Sequence, residues 1–194
     1  MEERLAKPTA ADHGASQFRY GRVQRFLHWS MAAIIIAAIG IGIYCGFQVP
    51  GTQPRKFLLD IHKSLGITAL ALVAIRIGYR LFAGAPPYRK ALSPTVHASS
   101  HVAHALLYAL MVFMPLSGYL FSSAGGYSLP WFGLFQWPRV VPLDKGLADA
   151  GEWLHDRTAW LICGLVVLHI GAALWHRFVE KDEILSRMTS GQGG

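Results

Sequence analysis

Four apolar stretches limit how this chain can fold. They run over about 26–47, 62–83, 101–123 and 155–178. Each has the roughly 20 residues that a helix needs to cross a bilayer. Lipid offers no hydrogen bonds to the backbone, so apolar segments of this length are read as helices. Charged residues make up 15% of the 194, well below the about 25% of soluble domains. The first stretch, MAAIIIAAIGIGIYCGF, follows a polar lead and has no small-residue cleavage site after a short core. It is therefore read as a retained span, not a signal peptide.

The formal charge of +7 sorts by side. Arg4, Lys7, Arg19, Arg22 and Arg25 precede the first span. Arg80, Arg89 and Lys90 flank the second connection, and Arg177, Lys181 and Arg187 close the chain. The other two connections hold only Arg55, Lys56, Arg139 and Lys145. The positive-inside bias places both termini in the cytoplasm. The expected fold class is all-α, an integral membrane four-helix antiparallel bundle with helices about 22–47, 61–83, 101–123 and 154–178. Residues 1–17 are expected to be a disordered lead, 18–188 the membrane domain and 189–194 a flexible tail. The basic balance is topological, so no nucleic-acid partner is expected; the partner is membrane lipid. Cys45 and Cys163 fall within spans and are read as free thiols.

The second connection, GAPPYRKALSPT, is Pro-rich and ends its helix firmly. The third, about Ala124 to Leu154, contains YSLPWFGLFQWPRVVP and is expected to rest as a cap on the outer membrane face. Pro115 predicts a kink in the third helix.

Antiparallel topology assigns each histidine a depth. His28, His101, His104 and His176 lie toward the inner side, and His62 and His155 toward the outer side. His169 follows His155 by fourteen residues. It shares the same helix face, within about 40°, and lies about 21 Å along the axis. That separation suits two haem irons stacked across a bilayer. Each iron then needs a second imidazole at its own level, which gives the pairs His62 with His155 and His28 with His169. Arg76 shares the face of His62 at the inner level, where a charge demands a partner; a haem propionate would supply one, and snorkelling to the surface is the rival reading. Gly66, with Gly40, Gly42, Gly118 and Gly164, allows close approach of helices or of a macrocycle. His101 and His104 could bind a metal, a reading weakened by the lack of a carboxylate or cysteine beside them. Trp175, His176 and Arg177 read either as interfacial anchors or as part of a quinone site.

RFLHW, DIHKSLGI, SHVAHALLYALMVFMPLSGYLFS and LHIGAALWHRFVEKDEILSRM together resemble the bacterial cytochrome b561 family over about residues 18–188. The resemblance implies a small quinone-linked membrane cytochrome of the bacterial inner membrane with two haem b groups. It carries the ligands onto His28, His62, His155 and His169, and an inner quinone region onto His104, Trp175 and His176. It also implies electron transfer in respiration from a periplasmic-side donor to ubiquinone, with superoxide as the donor in some members. Other members resemble the cytochrome subunits that anchor hydrogenases and formate dehydrogenases, so a periplasmic redox partner is the alternative.

The residues test these activities only in part. Quinone reduction consumes protons, which His104 and His176 could relay. Arg55, Lys56 and Lys63 could steer an anion toward His62. Across the outer side, however, those three with Arg139, Lys145 and Arg157 face Asp60, Asp144, Asp149, Glu152 and Asp156, so steering is local only. A haem-free transporter is disfavoured because no Asp or Glu lies deep within a span.

Overall fold

A computed structural model of the protein describes residues 17–89 and 92–189. Four helices follow in order: α1 (Arg22–Gly46), α2 (Gln53–Ala83), α3 (Pro94–Ala124) and α4 (Lys145–Phe178). All four are long and apolar enough to cross a membrane. The chain is a four-helix integral membrane bundle, and its even number of crossings puts both termini on one side. Apart from Gln17 and Thr189, the expected disordered lead and flexible tail lie outside the described residues.

Three helices begin well before the apolar stretches they contain. Local chemistry sets those starts, not hydrophobicity. Pro54 stands in the first turn of α2 and Pro94 in that of α3, where a missing N–H costs nothing. The Ser93 hydroxyl accepts from the Val96 N–H at 3.4 Å, and the Asp144 carboxylate accepts from the Leu147 N–H at 2.8 Å. The added turns shift both outer histidines inward: His62 and His155 sit more than two turns inside their helices. α3 stays one helix through Pro115.

The long outer connection is not purely irregular. β1 (Pro130–Trp131) and β2 (Phe135–Gln136) form a small antiparallel hairpin, with Pro130 opposite Gln136 and Trp131 opposite Phe135. Phe132 and Gly133 turn it with φ of 48° and 73°, the paired left-handed geometry of a tight hairpin turn. Ser64 of α2 anchors it. The buried hydroxyl accepts from the Phe132 N–H at 2.9 Å, and its one proton lies between the carbonyls of Asp60 at 2.7 Å and Pro130 at 3.1 Å. The Trp131 indole N–H donates to Thr68 Oγ1 at 3.1 Å, and Lys63 Nζ donates to the Ser128 carbonyl at 2.9 Å. The aromatic segment is thereby pinned over the outer end of α2.

The opposite end is closed by the segment after α4. Arg187, buried, donates to the carbonyls of Phe18, Pro86 and Pro87, and its guanidinium lies 4.1 Å from the Tyr88 ring centroid. Arg25 donates to the Thr189 carbonyl at 3.0 Å and the Trp29 indole to the Met188 carbonyl at 2.8 Å. These contacts bind the start of α1, the α2–α3 connection and the C-terminal segment together. Cys45 and Cys163 are free thiols.

Candidate functional site

Backbone packing runs α1 with α2, α2 with α3 and α3 with α4. Among the described residues, α4 packs closely against neither α1 nor α2. Histidine rings cross those two seams. His62 of α2 faces His155 of α4 with centroids 6.0 Å apart, at the end bearing the hairpin. His28 of α1 faces His169 of α4 at 6.2 Å, toward the end bearing the termini. A metal–imidazole bond is about 2 Å, so two imidazoles on opposite sides of one metal place their centroids about 6 Å apart.

Each outer ring is oriented by the same local device. His62 Nδ1 lies 2.9 Å from the Ala38 carbonyl of α1. His155 Nδ1 lies 3.1 Å from the Met114 carbonyl of α3, with Ser117 Oγ at 3.3 Å. A carbonyl can only accept, so each Nδ1 carries its proton, and in the neutral ring Nε2 is then the nitrogen left with a lone pair. Four residues beyond each carbonyl, on the same helix face, stands a glycine. A Cβ at Gly42 would lie 3.2 Å from His62 Cε1, and one at Gly118 would lie 2.8 Å from His155 Cε1. The missing side chains are what let the rings reach the backbone of the next helix.

The inner level is more crowded. His169 also meets His104 of α3, with centroids 5.4 Å apart. His104 Nδ1 donates to the Ser100 carbonyl at 2.6 Å. His28 Nδ1 is buried and lacks a hydrogen-bond partner among the described residues, a situation that costs about 1–3 kcal/mol when left unrelieved. Arg76, half-buried, donates from Nε to the Tyr108 hydroxyl at 3.1 Å and points Nη1 at Met31 Sδ at 4.0 Å. No carboxylate pairs with Arg76 among the described residues. These features fit a metal-centred, anionic group between the helices: converging imidazoles, glycine-lined ring positions, an orphaned ring nitrogen and a cation without a carboxylate partner among the described residues.

Other expected residues lie elsewhere. Gly66 meets Pro115, whose Cβ would be 4.0 Å from a Cβ on it, so it serves the α2–α3 crossing. Trp175 is exposed and donates to Glu180 at 3.3 Å. His176 Nδ1 pairs with Asp182 Oδ2 at 2.6 Å. His101 turns to His97 rather than to His104. The sequence reading missed His97, Tyr108, Asp182 and the carbonyls of Ala38 and Met114. Asp182 lies outside the spans. The carbonyls have no signature in side-chain pattern.

Membrane-crossing helices joined through half-buried imidazole pairs fit a membrane cytochrome b. The match to the prokaryotic cytochrome b561 family model covers residues 19–191, and the chain belongs to that family. It is 31% identical to cytochrome b561 homolog 2 of Escherichia coli K12, across 88% of this chain and 90% of the relative. It is 31% identical to the protein named "Probable superoxide oxidase CybB" of Yersinia pestis, across 88% and 95%. It is 24% identical to the protein named "Probable Ni/Fe-hydrogenase B-type cytochrome subunit" of Cupriavidus necator, across 97% and 95%. The family implies b-type haem and a role in electron transfer.

Proposed function

We propose that the protein carries electrons across the bacterial inner membrane through two b-type haems, from a periplasmic-side donor to ubiquinone on the cytoplasmic side. The observation that supports this reading is the two imidazole pairs, at 6.0 and 6.2 Å, across seams where the helices do not pack closely among the described residues. His62 and His155 would hold the outer iron, and His28 and His169 the inner one. When bound, haem b supplies reversible one-electron chemistry at iron.

The chain's own residues set the conditions. The Ala38 and Met114 carbonyls keep the outer imidazoles in the ligating tautomer and raise their basicity. Arg76 is placed to meet a propionate, with Tyr108 holding its Nε. His104, against the ring of His169, and His176, held by Asp182, would move protons to a reduced quinone. Trp175 would flank that region and Gly66 would keep α2 close to α3. At the outer face Lys63 is held by the Ser128 carbonyl close to His62, a local cation suited to an anionic donor such as superoxide.

Haem-loaded protein, pre-reduced and mixed with a ubiquinone analogue, should reoxidise rapidly, and more slowly after His104→Gln or His176→Gln with both haems retained. Superoxide should reduce it faster than a neutral donor of similar potential. The second reading, an electron-accepting subunit for a separate periplasmic redox protein, draws on the hydrogenase-subunit relative and on the exposed Phe132, Leu134 and Trp137 of the outer hairpin region. Co-purification of such a partner, with no superoxide or quinone activity in the isolated chain, would decide for it.

A further inference from the structure

The first turns of α3 carry a pair of imidazoles that the electron-transfer reading does not use. His97 and His101 stand one helical turn apart, and both are exposed. Their Nε2 atoms face each other at 3.3 Å, with ring centroids 4.5 Å apart. That spacing lets one ring N–H donate to the other ring. It also suits a shared metal. With bonds of about 2.0–2.1 Å, a tetrahedral ion sets two ligand nitrogens about 3.3 Å apart. A square-planar ion would draw neighbouring ligands to about 2.9 Å.

We propose that His97 and His101 form a binding site for a tetrahedral divalent cation of the zinc type, at the membrane face that carries the termini. The helix backbone fixes the spacing of the two ligands, so little ordering is needed on binding. Among the described residues no third His, Cys, Asp or Glu joins the pair. The remaining positions belong to water or to a ligand from outside the chain, as in open zinc sites. His104 lies on the same stripe of α3 but keeps its Nδ1 on the Ser100 carbonyl at 2.6 Å. Arg89, on the neighbouring connection, is engaged by Glu183 at 3.0 Å. The Tyr88 ring packs edge-on to His97, with centroids 6.4 Å apart, and braces that imidazole. The site stands on this geometry alone and does not depend on how the bundle histidines are used.

The test is calorimetric titration of tag-free, haem-loaded protein in detergent with zinc chloride after removal of adventitious metal. One equivalent should bind. His97→Gln and His101→Gln should each weaken binding by about tenfold or more, since even an outer partner of a metal ligand costs about that much. Both positions are exposed, so the haem spectrum should stay unchanged and report an intact fold. His13→Gln, at a histidine outside the described residues, serves as the control. X-ray absorption at the zinc edge should show two imidazole nitrogens. No binding by the wild type, or equal binding by the wild type and both variants, overturns the proposal.

Discussion

His155 reaches the Met114 carbonyl, 3.1 Å away on α3, across the position where Gly118 has no side chain. The Ala38 carbonyl and Gly42 serve His62 in the same way from α1. Two different helices thus use one arrangement, a carbonyl followed four residues later by glycine, to aim the two outer imidazoles at each other. The arrangement also defines what a substitution would break.

Gly118→Ala puts a methyl group 2.8 Å from His155 Cε1, and the contact can be relieved only by moving the ring. The variant should lose the outer haem and keep the inner one. Gly42→Ala, with a milder 3.2 Å contact, should shift the outer haem's midpoint potential with the haem retained. Haem content and redox titration of the two variants check both outcomes.

The histidines should fail in pairs. His62→Ala and His155→Ala should remove the same spectral component, and the double variant should lose no more than either single one. His28→Ala and His169→Ala should remove the other component. Loss of both components after one outer substitution would count against separate sites.

Arg76→Gln takes away a positive charge at the inner level and leaves the Tyr108 hydroxyl without its donor. A cation near iron favours the ferrous state, so the inner midpoint potential should fall while the outer one holds. Equal potentials in wild type and variant would return Arg76 to a surface-seeking role.

Ser64→Ala removes the buried hydroxyl that accepts from the Phe132 N–H and lies 3.1 Å from the Pro130 carbonyl. The cost should be about 1–3 kcal/mol. It should be felt locally, because the hairpin also holds Phe132 at a φ of 48°, which only its surroundings maintain. Hydrogen exchange over residues 128–137 should accelerate ahead of the helices.

Much of this fold could be read in advance because lipid leaves so few choices. The four apolar runs gave the four helices. Fourteen-residue spacing, with antiparallel depth, is enough to bring His62 toward His155 and His28 toward His169. The helix starts were misjudged where caps such as Ser93 and Asp144 extend a helix beyond its apolar part. The hairpin was hidden for a similar reason: its strands are two residues each and depend on Ser64, which lies in a different helix. Arg187 read only as a positive charge near the end of the chain. Its burial against the Phe18, Pro86 and Pro87 carbonyls is a tertiary fact with no local pattern. The same holds for Gly118, whose purpose is visible only once His155 lies against it.

The central claim is that four histidines hold two irons. The most direct measurement is a haem count per chain, with a reduced-minus-oxidised spectrum, on protein purified after expression with ample haem. The account predicts a sharp b-type band and two haems per chain. Protein that folds and yet carries no haem, or that keeps two haems when His62 and His155 are both replaced, would contradict it.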